Sequence, residues 1–201
     1  MKSLFTSIVA CASLLSFASA DVAKVGEAAP NFTLKSADGK EVSLEDFKGK
    51  EVVLEWVNYD CPFVKKHYSK GHMQELQKSY TEKGAVWLSI SSAHEGHGTF
   101  VDSSEFEARA KEQNASPTFT LVDADGTVGK TYDAKTTPHM YVINKEGVLA
   151  YAGAIDSKKS TDSADIASSD NYVSAALDSL LAGEKVKNSQ TQPYGCGVKY
   201  K

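Results

Sequence analysis

The run Val52-Val53-Leu54-Glu55-Trp56-Val57 constrains the fold more than any other stretch of this chain. It is apolar at every position but Glu55, so it reads as a strand buried on both faces, at the centre of a sheet covered by helices. Asn58-Tyr59-Asp60-Cys61-Pro62 ends the run, and a helix is expected from Pro62, because proline is tolerated in a first helical turn. Val64, Tyr68, His72, Leu76 and Tyr80 recur every four residues with Met73 beside them, the stripe of a helix packed on a sheet. Gly71 argues against one unbroken helix, and Gly84 stops the pattern. Residues 85–90 and 118–122 read as further strands, with a loop over 91–99 and a short helix from Ser103 or Ser104 to Asn114 between them.

The flanking segments add antiparallel elements. Asn31 to Leu34 reads as a short strand, followed by a turn at Ala37-Asp38-Gly39-Lys40 and a half-buried strand carrying Val42 and Leu44. A turn at 123–126 precedes one or two helical turns over 127–132. Residues 140–143 and 148–151 flank Asn144-Lys145-Glu146-Gly147 as a hairpin. An exposed loop over 156–170 leads to a helix over 172–181. The whole is an α/β chain with a central mixed sheet flanked by helices. One domain is expected over 21–183, with a tail, 184–201, that shows no periodicity and carries Cys196.

The first twenty residues read as a secretory signal peptide: Lys2, an apolar run from Leu4 to Phe17, and a small-residue cleavage site at Ala18-Ser19-Ala20. Ile8-Val9-Ala10-Cys11 also resembles a lipid-attachment site, although the apolar run continues past Cys11. Neither this run nor any later one suits a membrane span. A periplasmic or secreted chain starting at Asp21 has 21 basic against 26 acidic residues, a formal charge of −5. Such a balance argues against nucleic acid as a partner. Two cysteines remain, Cys61 and Cys196, in a compartment that permits a disulfide without requiring one.

Cys61 sits where a buried strand gives way to a helix. Unpaired backbone N–H groups there favour a thiolate, the form that attacks disulfides and peroxides. Lys65 and Lys66 lie one turn on and would help if they point that way, whereas Asp60 would raise the thiol pKa. The bland alternative is an inert, buried cysteine. Cys196 could resolve an oxidised Cys61, form a static link with it, or pair between chains.

Val25-Gly26, Pro30-x-Phe32-x-Leu34, the strand 52–57 leading to Cys61-Pro62, and Thr137-Pro138 before the strand 140–143 together resemble the peroxiredoxin branch of the thioredoxin superfamily. That is the alkyl hydroperoxide reductase/thiol-specific antioxidant group, and the resemblance covers about residues 24–182. The ending Pro193-Tyr194-Gly195-Cys196 resembles a subgroup of secreted bacterial redoxins. The resemblance implies a thioredoxin-like fold and a cis Pro138 packed against Cys61. It also implies a substrate groove formed by Thr137, Pro138 and the loop Asn58, Tyr59 and Asp60. The departures are specific. Asn58 stands where the peroxidases carry threonine, and Leu54 where they carry proline. The only arginine, Arg109, is misplaced for a peroxide pocket and reads as a lone surface residue. Val64 occupies the place of the second cysteine of a dithiol motif.

These readings lead to an extracytoplasmic thiol-dependent oxidoreductase, exchanging disulfides or weakly reducing peroxides, with Cys61 as nucleophile and Cys196 as possible resolving cysteine. Its partner would be a reducing thiol/disulfide protein or a small-molecule peroxide, and no cofactor is implied. His139, next to Pro138, would lie near the thiol and tune its pKa. The alternatives are a non-catalytic binding module and a copper- or zinc-handling protein using Cys61, His139, His67 or the pair His94 and His97. No metal site is assigned.

Overall fold

The computed structural model describes residues 22–201, so the signal peptide and Cys11 lie outside the described residues. In chain order the elements are β1 (Thr33–Ser36), β2 (Glu41–Ser43), β3 (Val52–Trp56), α1 (Pro62–Tyr68), α2 (His72–Glu82), β4 (Val86–Ser91), α3 (Ser103–Glu112) and β5 (Phe119–Val122). They continue with α4 (Thr127–Thr131), β6 (Thr136–Thr137), β7 (His139–Ile143), β8 (Leu149–Gly153), α5 (Tyr172–Leu181) and β9 (Cys196–Gly197). Seven strands form one sheet in the order β2-β1-β5-β4-β3-β7-β8. The central β3, β4 and β5 run parallel, and β7, β8, β1 and β2 add antiparallel edges. This is the α/β thioredoxin-like architecture with a mixed sheet.

Alternation along β3 divides the core. Val53 and Val57 face α1, α2 and α5, packing with Val64, Tyr68, Met73, Val173 and Leu177. Val52, Leu54 and Trp56 face the other way, with Leu88, Ile90, Tyr132 and Tyr141. Trp56 packs edge-on to Tyr141 at 5.1 Å between ring centroids. Glu55 is fully buried among the apolar residues. It survives there because four donors meet it: Tyr68 Oη on one carboxylate oxygen, and Gln77 Nε2, Trp87 Nε1 and Ser89 Oγ on the other.

The expected break is present, one boundary is shifted, and the tail is more ordered than its lack of periodicity suggests. The long amphipathic stripe splits at Gly71, which takes φ 78° and redirects the chain between α1 and α2. The first strand lies at Thr33–Ser36, two residues later than expected, where it pairs with both β2 and β5. The aperiodic tail is bound along its length. Ala152 bonds Ser189 and Thr191, Val198 N–H donates to Lys135 O, and Tyr200 Oη donates to Ala134 O at 2.7 Å.

Candidate active site: a cysteine pair beside Thr137

Cys61 is placed by the turn that ends β3. Asn58 Oδ1 accepts the Asp60 N–H at 2.9 Å, and Asn58 O accepts the Cys61 N–H at 3.0 Å. Extended backbone at Cys61 (φ −68°, ψ 125°) makes it the N-cap of α1, and Pro62, with no N–H to satisfy, takes the first helical position. The side chain is only 2% exposed. As a thiol it donates to Thr137 O at 3.0 Å, and the Thr137–Pro138 peptide is cis.

The tail reaches the same carbonyl. β9 pairs antiparallel with β6, setting Cys196 opposite Thr137. Both cysteines are free thiols, Cys196 partly exposed and packed against the same core cluster as Cys61. Burial raises the Cys61 pKa, but hydrogen bonds to its sulfur from the Cys196 side chain and from the backbone of Val64 and Cys196 outweigh it, and the net shift is downward. Cys196 moves the other way, pushed up to about 11 by burial and by its hydrogen bond with Cys61. The pair therefore concentrates negative charge on Cys61 and keeps the proton on Cys196.

This approach requires Gly195. Its φ is 149°, and a Cβ there would run into the Thr137 carbonyl. Gly195→Ala is expected to push β9 off β6 and slow closure of a Cys61–Cys196 disulfide by about tenfold or more, through lost proximity. The rate of paired thiol loss after addition of an oxidant checks this. An unchanged rate would show that the close approach is dispensable.

Behind the sulfurs, a buried polar cluster anchors the tail. Lys66 Nζ donates to Asp156 Oδ2 at 2.8 Å, to Lys158 O at 2.7 Å and to Tyr194 Oη at 3.3 Å. Tyr194 Oη also donates to Asp156 Oδ1. The Asn171 side-chain oxygen Oδ1 accepts the Ser174 N–H, so its Nδ2 faces His72 Nε2 at 3.2 Å. A neutral His72 then donates from Nδ1 to His67 Nδ1, 3.1 Å away, and His67 Nε2–H points to Tyr194 Oη at 3.4 Å. The hydrogen bonds thus run in one direction from Asn171 to Asp156.

This direction needs neutral histidines. Burial holds His67 down at about 3 and also lowers His72. An imidazole that stays neutral when folded but takes a proton when unfolded lowers stability as pH falls from its ordinary 6.5 towards the folded value. With His139 held at about 4 by burial, unfolding free energy should drop by on the order of 3 kcal/mol for each of His67 and His139, about 5 kcal/mol together, between pH 6.5 and pH 4. Urea titrations across that range test it, and a flat profile would contradict neutral burial.

Several residues lie elsewhere than expected. His139 does not face the thiol: it shares the sheet face of Trp56, accepts the Lys135 N–H at 3.2 Å and packs on Tyr141. Tyr59 is in the core, edge-on to Tyr68 at 5.2 Å, rather than on a groove wall. Asp60 turns outward to Arg109, whose Nη1 lies 2.8 Å from Asp60 Oδ2. Arg109 is therefore no lone surface arginine, since it also pairs with Glu105 and ties α3 to the cysteine loop. Lys66 is committed to Asp156, and hydrogen bonds rather than lysines lower the Cys61 pKa. Among the described residues, no group of three or more His, Cys, Asp or Glu side chains converges to hold a metal ion, and no helix is long and apolar enough to cross a membrane.

The AhpC/TSA family model matches residues 25–152. The chain is similar to the thioredoxin-like protein YneN of Bacillus subtilis (strain 168), with 32% identity over 126 residues, 62% of this chain and 68% of YneN. It is 27% identical over 132 residues to the thiol-disulfide oxidoreductase ResA of Bacillus cereus, covering 65% of this chain and 70% of ResA. Among solved structures, an uncharacterized conserved protein from Geobacillus kaustophilus superposes with a TM-score of 0.75 at 29% identity, over 89% of this chain and 93% of that one.

Proposed function

This chain belongs to the AhpC/TSA family, and from that membership and its sulfur pair we propose that it is an extracytoplasmic thiol–disulfide oxidoreductase. The observation that carries the reading is that Cys61 Sγ donates to the Thr137 carbonyl while the β6–β9 pairing sets Cys196 opposite Thr137. The Cys61 thiolate attacks a substrate disulfide, forming a mixed disulfide and releasing one substrate thiolate. Cys196 then loses its proton to solvent and attacks Cys61 Sγ, releasing the second. The substrate gains two electrons, and the protein is left with a Cys61–Cys196 disulfide. A reducing thiol partner closes the cycle. The protein acts in the periplasm or as a secreted protein, in keeping with its N-terminal twenty residues.

Disulfide exchange is favoured over peroxide reduction because, among the described residues, no lysine or arginine hydrogen-bonds to Cys61 Sγ. Arg109, the sole arginine, is engaged by Asp60 and Glu105, and Asn58 uses its carboxamide oxygen to hold its own loop. The test is steady-state reduction of a model disulfide, with dithiothreitol as donor, beside a parallel assay with hydrogen peroxide. Turnover well above the uncatalysed rate with the disulfide supports the proposal. Turnover only with peroxide would replace it, and turnover with neither would leave a binding role.

A further inference from the structure

On the sheet face away from Cys61, β7 and β8 border a cleft of about 650 Å³. Its floor is His139 and Tyr141 on β7, with Ala152 opposite Tyr141 on β8. A methyl group facing a tyrosine leaves space that a larger side chain would fill. One wall is the tail. The Ala152 N–H donates to Ser189 O and the Thr191 N–H to Ala152 O, and Gly153 admits Thr191 so closely that a Cβ there would collide with it. The other wall is residues 23–25, held where the Ala23 N–H donates to Thr131 O and the Gly26 N–H to Leu149 O.

The floor presents a hydrogen-bond donor. His139 Nδ1 accepts the Lys135 N–H at 3.2 Å, with Tyr141 Oη 3.0 Å away. Burial keeps the ring neutral at neutral pH, so its proton is on Nε2. His139 is only 5% exposed, yet Nε2 has no hydrogen-bond partner among the described residues. Nor is it one of the fully enclosed unpaired atoms, which are Tyr59 Oη and Gln74 Oε1. The Nε2–H therefore opens on the cleft that the residue lines. A donor so deeply placed is costly unless something accepts from it. Two ammonium groups stand at the mouth. Lys135 Nζ lies 2.8 Å from Asp133 and Lys24 Nζ 3.8 Å from Glu27, all four side chains exposed. Exposed pairs hold weakly, so both lysines can turn to an incoming anion.

We propose that this cleft binds a small organic carboxylate: one carboxylate oxygen accepts the His139 Nε2–H, and the ammonium groups of Lys24 and Lys135 stabilise the charge. An anion is favoured over a neutral acceptor because the lining carries two lysines against one aspartate. A hydrogen bond to an ionised acceptor is also roughly twice as strong as one to a neutral acceptor. A carbon skeleton is favoured over an inorganic oxyanion because Tyr132, Tyr141, Ala152 and Pro193 offer apolar surface and a single donor converges from the floor. The site stands apart from the thiol chemistry. Met140 packs on the Cys61 side of the sheet, whereas Tyr141 packs on the other, with His139 alternating to the same face.

The experiment titrates the reduced wild-type protein, labelled with heavy nitrogen in its histidine rings, at constant ionic strength. The probes are benzoate, its neutral isostere benzamide, and inorganic phosphate, read by nitrogen–proton NMR of the rings. Benzoate should shift the His139 Nε2 resonance saturably and bind at least about tenfold more tightly than benzamide, while phosphate leaves that resonance in place. Replacing the two exposed lysines together, Lys24→Gln with Lys135→Gln, should weaken benzoate by about fivefold or more and keep a cooperative unfolding transition. The absence of a saturable shift with benzoate would overturn the proposal. So would equal binding of benzamide, an equal shift with phosphate, or unchanged benzoate affinity in the double lysine variant. None of these outcomes bears on the disulfide-exchange reading, which has its own assay.

Discussion

A Cys61→Ser variant is expected to lose disulfide-exchange turnover by about a thousandfold or more while keeping a cooperative unfolding transition. The two halves of that expectation have separate causes. Serine is close in size to cysteine, and its hydroxyl can donate to Thr137 O as the thiol does, so the N-cap turn and the β6–β9 ribbon lose little. The chemistry does not survive, because an alcohol supplies almost no anion at neutral pH and a weaker nucleophile than a thiolate. Cys196 does not substitute for it: burial still raises its pKa when Cys61 is gone, and it stands on the β6–β9 ribbon rather than at the start of a helix. The contrasting variant is Cys196→Ser, which keeps the first attack and loses the resolving one. It should give one equivalent of released substrate thiol and then stop, as a mixed disulfide on Cys61. Steady-state turnover retained by Cys61→Ser would remove Cys61 from the mechanism.

Lys66→Met is expected to cost about 3–5 kcal/mol of unfolding free energy, the largest stability effect among the substitutions considered. The Lys66 and Asp156 side chains are both fully buried. Removing the ammonium leaves a carboxylate in the interior with hydrogen bonds only from Tyr194 Oη, Ser169 Oγ and the Lys158 N–H. Asp156 is held below the usual carboxylate range despite burial, which opposes the shift, because Lys66 and Tyr194 hydrogen-bond to it. Without Lys66 it must take up a proton or open the cluster, and the Tyr194 anchor of the tail loosens with it. Replacing both members, Lys66→Met with Asp156→Leu, should recover most of the loss, since an apolar pair needs no compensation. Urea denaturation of the two single variants and the double variant measures the coupling. A single-variant cost below about 1 kcal/mol would show that the cluster is not a buried ion pair in solution.

The central strand and the helices around Cys61 were legible in the sequence because burial imposes a local pattern: an apolar run for β3, a four-residue stripe for α1 and α2. The tail was not. Its partners, Thr137, Ala152 and Asp156, lie some forty to sixty residues away, and a segment that packs by single contacts carries no period. Lys66 read as a possible helper of the Cys61 thiolate because its true partner is ninety positions distant. Arg109 read as solitary for the same reason, with Asp60 forty-nine positions away. His139 was a different kind of error, since side chains alternate along a strand. That alternation puts His139 and Tyr141 on the face opposite Met140, and Met140 is on the Cys61 side. Glu55 left a signal that went unused: one carboxylate within an apolar run has to be met by buried donors.

The most direct test is a redox titration of the wild-type protein in dithiothreitol buffers of graded poise, read by alkylation and mass. Cys61 and Cys196 should lose their thiols together, in one two-electron transition within the monomer, with peptides joined 61 to 196. Independent oxidation of the two thiols, or disulfides only between chains, would contradict the claim that this fold brings its two cysteines together to exchange electrons.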